Sequence, residues 1–301
     1  MTALESIIES HPHLTLSDTQ QLYQGEEALP VIQVSNALCD ANVSLYGAHV
    51  LSFKPKDKSE ALWISPNTKF QAGTAIRGGV PVCFPWFAVN QDDPSKPKHG
   101  YVRQRLWTLE SSEQTDKGET KLTLVYQSQP EDKAHFEGEF KVKLDLTFGE
   151  SLSMTLDVTN TGTTPYPIRW ALHTYFAVSN VNNVSVSGLD GVSYRDNTKG
   201  LAIATQAGDI TFNGEVDMAF FEAPARQTIN DNGKDIIAIT GDNAPSAIVW
   251  NIGTEKGEGI ADIGGEASTG YVCVERGCAF SDVWQLAPGE QIKGTKTIEV
   301  L

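Results

Sequence analysis

The sequence predicts an all-β protein, a large antiparallel β-sandwich with few short helices. The clearest observation is that apolar and polar residues alternate in two adjacent segments, Phe140–Phe148 and 152–159. A period of two indicates strands with one face in the core and the other in water. Gly149-Glu150-Ser151 separates the two segments, which predicts a hairpin. Similar short runs recur along the chain between Gly, Pro, Asn and Asp residues, a pattern typical of sandwiches.

The remaining elements follow in chain order. Residues 1–25 are expected to form an N-terminal extension packed on the body, with a helix at 3–10. Further strands are predicted at 31–35, 42–53, 122–126, 184–187, 236–240, 248–252 and 296–301. The Ser-, Thr- and Asp-rich segment 111–119 predicts a solvated hairpin loop. Because the sequence has no repeat, low-complexity linker or break in composition, residues 1–301 are predicted to form one domain.

Charge limits the class of ligand. The chain has 23 Lys and Arg residues and 38 Asp and Glu residues, a formal net charge of −15 at pH 7. This charge argues against nucleic acid and anionic membranes as partners. An anionic ligand therefore requires a local cluster of basic side chains.

Hydropathy and cysteine usage predict a cytoplasmic location. No apolar run approaches the roughly 20 residues of a membrane-spanning helix. The N-terminal residues lack the basic and long apolar regions of a signal peptide. Cys39, Cys83, Cys273 and Cys278 lack Cys-x-x-Cys spacing and a zinc-like arrangement with histidine. We expect reduced, mostly buried thiols.

A Gly- and Pro-rich segment begins with Ile76-Arg77-Gly78-Gly79-Val80-Pro81 and continues to Phe87. Paired glycines let the backbone approach a ligand closely, and prolines restrict the shape of a loop. Arg77 could bind an anion or a sugar hydroxyl there. A rigid structural turn with a surface arginine explains the segment equally well.

A second segment concentrates basic and titratable residues within a strongly acidic chain. Lys98, His99 and Arg103 lie within the six residues Lys98-His99-Gly100-Tyr101-Val102-Arg103. This concentration indicates a local anion site. A solvated loop is the alternative.

Two apolar, β-prone segments each contain one titratable residue. These are His173 in Ala-Leu-His-Thr-Tyr-Phe and Glu275 in Val-Cys-Val-Glu. A titratable group in an apolar strand usually has a partner or a chemical role. If the two meet in one cleft, they supply an acid and a base near neutral pH. Asp217, which precedes another apolar run, is a further candidate, although a strand-end turn residue fits it as well.

The four segments IRGGVPVCFPWF, KHGYVR, ALHTYF and YVCVE resemble, in this order and at these intervals, the hexose-6-phosphate mutarotases of the aldose 1-epimerase superfamily. The resemblance extends from about Val31 to the C-terminus. It implies a large antiparallel β-sandwich, which agrees with the strand pattern. It also implies interconversion of the α and β anomers of a hexose 6-phosphate, with glucose 6-phosphate as the expected substrate.

The resemblance assigns roles residue by residue. His173 and Glu275 match the catalytic histidine and glutamate, and Arg77 and Arg103 match substrate-binding arginines. The other matches are Asp217 with an aspartate that binds sugar hydroxyls, Lys98 with a substrate-contact position and His99 with a histidine beside the sugar ring.

The chain departs from the family pattern at three places. Met218-Ala219-Phe220 follows Asp217 where many relatives have an arginine, Lys98 stands where some relatives have a neutral amide, and Arg276-Gly277-Cys278 follows Glu275. These departures bear on the preferred sugar more than on the reaction.

The expected chemistry uses Glu275 ionised and His173 protonated in the free enzyme, with no metal or organic cofactor. The expected ligand is a small-molecule hexose phosphate, and a monomer is expected. Two alternatives are an epimerase of an unphosphorylated aldose and a non-catalytic carbohydrate-binding sandwich. A binding module has no use for both an acid and a base, so the pair favours an enzyme.

Overall fold

The computed structural model describes residues 2–301 and contains little helix. The α-helices in this part of the chain are α1 (Ala3–Glu9), α2 (Thr19–Tyr23) and α3 (Thr254–Gly257). Short 3₁₀ turns lie at Val102–Gln104, Pro130–Ala134, Val181–Asn183 and Glu266–Gly270. Thr2 and Glu5 form a capping box at the start of α1, which satisfies backbone N–H groups that have no partner within the helix. The predicted N-terminal helix is therefore confirmed.

Strands are the main regular secondary structure and confirm the all-β prediction. In chain order they are β1 (Leu14–Asp18), β2 (Pro30–Ser35), β3 (Cys39–Ser44), β4 (His49–Pro55), β5 (Val82–Cys83), β6 (Thr108–Gln114), β7 (Thr120–Gln127), β8 (Phe140–Phe148), β9 (Ser151–Asn160), β10 (Tyr166–Ile168), β11 (Trp170–Leu172), β12 (Tyr175–Ala177), β13 (Val184–Ser187), β14 (Ser193–Asp196), β15 (Ala202–Thr205), β16 (Ile210–Thr211), β17 (Val216–Phe220), β18 (Arg226–Asp231), β19 (Lys234–Asp242), β20 (Ser246–Asn251), β21 (Tyr271–Cys278), β22 (Trp284–Leu286) and β23 (Gln291–Val300).

Two large antiparallel sheets form the sandwich. The nine-stranded sheet has the order β16-β13-β18-β19-β23-β9-β8-β7-β6. The eight-stranded sheet has the order β15-β14-β17-β20-β21-β11-β5, and β12 also pairs with β21. A four-stranded sheet, β1-β2-β3-β4, and the pair β10-β22 complete the fold. One continuous apolar cluster contains side chains from both large sheets and from the four-stranded sheet.

The predicted hairpin lies within the nine-stranded sheet, between β23 and β7. β8 and β9 pair antiparallel from Phe140 opposite Asn160 to Phe148 opposite Leu152. Their burial alternates residue by residue, as the sequence pattern predicts. The apolar face of this hairpin therefore forms one wall of the sandwich interior.

Two predicted boundaries are wrong. The run 42–53 is not one strand, because the chain turns between β3 and β4 at Gly47 and Ala48, both at positive φ. A Cβ atom on Gly47 would lie 2.6 Å from the carbonyl oxygen of Arg103, so this turn depends on a distant segment. The solvated loop predicted at 111–119 is also shorter, since β6 extends to Gln114 and pairs with β7.

The N-terminal residues contact the four-stranded sheet and the core. β1 pairs with β2 at the edge of the four-stranded sheet, and Ile8 and Leu14 join the apolar core. This packing supports our proposal that residues 1–301 form one domain.

The four cysteines are buried and free, which agrees with the expected reduced thiols. Within residues 2–301 no helix has both the length and the apolar character that a membrane crossing requires.

Candidate active site

Strand register brings His173 and Glu275 together on the eight-stranded sheet. Tyr175 pairs with Cys273 and Leu172 pairs with Arg276, so His173 lies directly opposite Glu275 on the neighbouring strand. Residues at such positions project from the same face of a sheet. The imidazole Nε2 of His173 is 3.4 Å from the carboxyl Oε1 of Glu275.

The Gly- and Pro-rich segment supports the other side of this histidine. The backbone N–H groups of His173 and Tyr175 donate to the carbonyl oxygens of Pro81 and Gly79, at 3.0 and 2.9 Å. Gly79 has φ of 57°, and a Cβ atom there would lie 2.4 Å from the carbonyl oxygen of Val50. The close packing that the paired glycines allow therefore positions His173.

Burial shapes the electrostatics of the pair. His173 is 7% exposed and Glu275 is 1% exposed. Removal from water lowers the pKa of His173 well below its usual value, and the charge of Arg103 adds to this effect. Burial raises the pKa of Glu275 well above its usual value, against the opposing charges of Lys296 and Arg103.

These directions oppose the protonation states expected from the sequence for the free enzyme. Desolvation penalises both the imidazolium and the carboxylate, so burial favours neutral His173 and protonated Glu275. The Nδ1 of His173 and the Oε2 of Glu275 also have no hydrogen-bond partner among residues 2–301. Unsatisfied buried polar atoms are rare and call for an explanation such as a catalytic role.

Aromatic rings surround the imidazole of His173. Tyr175 stacks on it with centroids 4.9 Å apart and planes inclined by 11°. Trp250 and His99 present their rings edge-on, at 5.7 and 5.4 Å. The histidine therefore has a fixed ring plane and a low-dielectric environment.

His99 lies beside the His173–Glu275 pair as a neutral hydrogen-bond donor. Its Nδ1 accepts from the backbone N–H of Ala88 at 3.3 Å, so the proton is on Nε2. Burial, followed by the charge of Arg103, lowers the pKa of His99 well below its usual value. The next residue, Gly100, has φ of 73°, and a Cβ atom there would lie 1.8 Å from the carbonyl oxygen of Phe84. The tight Gly100 turn therefore holds His99 in place.

Arg77 reaches the site as part of an ion pair rather than as a free cation. Its Nε and Nη2 donate to both carboxylate oxygens of Asp262, at 3.0 and 3.2 Å. Its Nη1 donates to the hydroxyl of Tyr175 at 3.1 Å. Asp262 neutralises most of this charge, so Arg77 is held in position but attracts an anion only weakly.

Arg103 is the less compensated arginine. Its Nη2 donates to the carbonyl oxygen of Lys98 at 2.8 Å, a neutral acceptor. Its buried Nε has no hydrogen-bond partner in the described part of the chain. The charge of Arg103 lowers the pKa values of His99, His173 and Glu275, which places its guanidinium near all three. Lys98 itself is exposed at the rim.

Asp217 lies on the same face of the sheet, two strands from β21. Asp217 pairs with Trp250, which pairs with Cys273. The Nδ2 of Asn197 donates to the Asp217 carboxylate at 2.8 Å, and burial raises the pKa of Asp217. Asp217 therefore presents a fixed acceptor beside the pair.

Arg276, which departs from the family pattern, faces away from the site. Its guanidinium donates to the carbonyl oxygens of Pro224 and Ala244 and to the side chain of Gln227. This arginine binds buried carbonyl groups inside the sandwich and does not enlarge the site.

Sequence reasoning missed three charged residues near the site. Asp262 pairs with Arg77 from a loop that has no motif. Arg195 on β14 has its guanidinium carbon 3.6 Å from the centroid of Phe280, and nothing in its local sequence marks it. Lys296 is buried on the inner side of the sheet that carries Glu275. The alternating burial of β23 places it at an inward-facing position, which the sequence pattern could have indicated.

Comparisons with known proteins give the family. A family profile described as "Aldose 1-epimerase" matches residues 30–299. A protein of Cenchrus ciliaris named "Putative glucose-6-phosphate 1-epimerase" is 32% identical over 85% of this chain and 80% of the relative. A protein of Escherichia coli K12 with the same name is 33% identical over 83% of each chain.

A solved structure agrees with these matches. The crystal structure of "a putative mutarotase" from Salmonella typhimurium superposes with a TM-score of 0.87 and 27% identity, over 96% of this chain and 94% of that one. The fold and site are thus those of a sugar isomerase. The chain belongs to the aldose 1-epimerase family.

Proposed function

We propose that the protein interconverts the α and β anomers of glucose 6-phosphate, with His173 and Glu275 as the catalytic acid and base. The observation that carries the proposal is the buried pair 3.4 Å apart, beside the uncompensated guanidinium of Arg103. The relatives named for glucose-6-phosphate 1-epimerase activity support the phosphorylated substrate.

Ring opening requires one proton to leave and one to arrive. Glu275 takes the proton of the anomeric hydroxyl O1, the C1–O1 bond becomes a carbonyl, and the C1–O5 bond breaks. His173 delivers a proton to the ring oxygen O5 as that bond breaks. Rotation about C1–C2 and the reverse steps on the other carbonyl face give the opposite anomer. Each positioned proton transfer contributes roughly 10²–10⁴-fold in rate.

The reactive pair holds one proton in total. Burial favours the arrangement with that proton on Glu275, whereas the proposed forward step uses ionised Glu275 and protonated His173. The two arrangements contain the same number of protons and interconvert by proton transfer across the pair. A nearby cation raises the fraction of the reactive arrangement where it stabilises the Glu275 carboxylate more than it destabilises the His173 imidazolium.

The remaining site residues bind the sugar phosphate in this proposal. Arg103 supplies the main charge for the phosphate, Arg77 adds hydrogen bonds, and Lys98 contributes from the rim. His99 donates to a sugar oxygen from Nε2, and Asp217 accepts from a hydroxyl. A local cationic group is necessary because the chain as a whole carries −15 and repels anions.

A single assay distinguishes this proposal from the two alternatives, an epimerase of an unphosphorylated aldose and a carbohydrate-binding protein. Freshly dissolved α-glucose 6-phosphate and α-glucose are each followed by polarimetry or exchange NMR with catalytic amounts of protein. Strong acceleration with the phosphate sugar alone supports the proposal. Equal or greater acceleration with glucose or galactose favours the unphosphorylated aldose, and no acceleration with any sugar favours a binding protein.

We further propose a monomer acting in the cytoplasm. All of the proposed site residues come from one chain, so the site needs no second subunit. The four buried free cysteines fit a reducing compartment.

The pH dependence of kcat/KM is expected to be bell-shaped. The singly protonated pair is the active form, so activity falls when the pair gains a second proton or loses its only one. Burial lowers the pKa of His173 and raises that of Glu275, which widens the range of pH in which the pair holds one proton. Both limbs belong to the coupled pair rather than to either residue alone: the acidic limb is the gain of a second proton and the alkaline limb is the loss of the only one. Activity that rises steadily to about pH 10 contradicts the protonated acid. The phosphate titrates near pH 6, so glucose serves as the control for the acidic limb.

A further inference from the structure

A buried lysine enters the active-site region from the opposite sheet. Lys296 lies in the middle of β23, in the nine-stranded sheet, between the inward-facing Gly294 and Ile298. It is 0% exposed. A fully buried lysine is uncommon because its ammonium must leave water.

The ammonium contacts the residues next to both members of the catalytic pair. The Nζ of Lys296 donates to the Thr174 hydroxyl at 2.5 Å and to the Val274 carbonyl at 2.8 Å. It also lies 5.1 Å from the ring centroid of Phe176. Thr174 follows His173 in the chain, and Val274 precedes Glu275. The bonds occur at the gap between β11 and β12, where these strands do not pair with β21.

The two hydrogen-bond partners of Lys296 are neutral. Glu275 is therefore the group that supplies a negative charge to balance the ammonium. Burial lowers the pKa of Lys296 to about 7, Glu275 and Cys273 raise it, and Arg276 lowers it. In return, Lys296 is the strongest of the charges that lower the pKa of Glu275. An apolar side chain would avoid the cost of burying the ammonium, so packing does not account for a lysine at this position.

We propose that Lys296 is a positioning residue of the catalytic pair, which fixes the backbone beside His173 and Glu275 and stabilises negative charge on the Glu275 carboxylate. This inference rests on the proposed function. Lys296 does not touch the substrate; it acts through Glu275. Lys296 lowers the pKa of Glu275 more than any other charge does. It also lowers the pKa of His173, but by less than Arg103 and Arg77 do. The net effect of its charge is therefore a larger fraction of the pair with Glu275 ionised and His173 protonated.

The test replaces Lys296 by methionine, which has a similar length and no charge. An opposite charge at close range lowers a carboxyl pKa by roughly 1–3 units, so Lys296→Met is expected to raise the pKa of Glu275 by about one unit. The alkaline limb of the pH profile of kcat/KM then moves to higher pH by the same amount. Its plateau falls about tenfold, because the reactive arrangement becomes rarer. Titration of protein labelled with ¹³C at glutamate carboxyl carbons measures the Glu275 pKa directly, with Glu275→Gln to assign the signal.

Two further variants separate charge from packing. Lys296→Gln keeps a donor for Thr174 but removes the charge, and it is expected to reproduce the rise in the pKa of Glu275. It also provides the test if the methionine variant does not fold. Ile298→Val removes packing from the same face of β23 without changing charge, and is expected to leave the pH profile unchanged.

The outcomes are distinct. An unchanged Glu275 titration in both Lys296 variants overturns the proposal, even if activity falls. The proposal is supported if the pKa of Glu275 rises, the alkaline limb of the kcat/KM profile moves to higher pH and the plateau of that profile falls. If the wild-type protein accelerates no sugar, the proposed function fails, while the NMR titration still decides whether Lys296 stabilises the charge of Glu275.

Discussion

Replacing His173 by asparagine or Glu275 by glutamine is expected to lower kcat by about 10²–10⁴-fold for glucose 6-phosphate. Each substitution removes one of the two proton transfers that open the ring. The loss belongs to kcat rather than KM, because neither residue is assigned to the phosphate. Polarimetry at saturating substrate, corrected for spontaneous mutarotation, measures it.

The double variant provides a sharper test of the pair. If the residues act as a unit, His173→Asn with Glu275→Gln is expected to be little slower than either single variant. Full multiplication of the two losses would indicate independent roles. Near-full turnover in either single variant rejects the role assigned to that residue.

Two controls make the result specific to the site. His135→Asn removes a half-buried imidazole that stacks on Tyr101, outside the pair, and Glu110→Gln removes a carboxylate that pairs with Lys141 and Lys143. Both are expected to keep kcat close to that of the wild type. Thermal unfolding shows whether the variants at the pair are folded. Glu275→Gln is expected to unfold at a similar or lower temperature, since it leaves the buried Lys296 ammonium without its opposite charge.

The alternation of apolar and polar residues was enough to predict the long strands β8 and β9 and several shorter ones. In β8 and β9 every second residue is apolar, and the structure buries those residues in one wall of the sandwich. The break between β3 and β4 could not be predicted in this way. It depends on the close approach of Gly47 to Arg103, more than fifty residues away in the sequence.

In the candidate site, too, local sequence patterns indicated some residues, whereas the relations between them depend on distant parts of the chain. His173 and Glu275 stood out because each is the titratable residue in an apolar strand. Their exact opposition depends on the pairing of β11 and β12 with β21, which no local pattern specifies. Asp262 changes the role of Arg77 from a loop 185 residues away. Lys296 was within reach of sequence reasoning, since it occupies an inward-facing position of an alternating strand.

The charge balance at the two arginines predicts unequal roles in phosphate binding. Arg103→Ala is expected to raise KM for glucose 6-phosphate by about ten- to a hundredfold, as loss of a charge-assisted hydrogen bond implies. Arg77→Ala is expected to raise it less, because Asp262 already neutralises that guanidinium. Lys98→Ala is expected to have the smallest effect, since an exposed ammonium lacks the bidentate geometry of arginine.

The useful quantity is the ratio of kcat/KM for glucose 6-phosphate to that for glucose. Arg103 also shifts the pKa values of His173 and Glu275, but that effect applies to both sugars and cancels in the ratio. Arg103→Ala should therefore lower the ratio, whereas Arg77→Ala, which frees Asp262 and Tyr175, should impair both sugars. Lys96→Ala removes one positive charge from the neighbouring loop and controls for the general field.

Sulfate gives an independent measure of the same site. It should compete with glucose 6-phosphate in the wild type, and its inhibition constant should rise in Arg103→Ala by about the same factor as KM. If Arg103→Ala leaves the ratio between the two sugars unchanged and sulfate still competes, the phosphate lies elsewhere. Arg195, another arginine near the site without a carboxylate partner within 4 Å among residues 2–301, then becomes the group to replace. If glucose is turned over as well as its phosphate in every variant, an unphosphorylated aldose is the substrate.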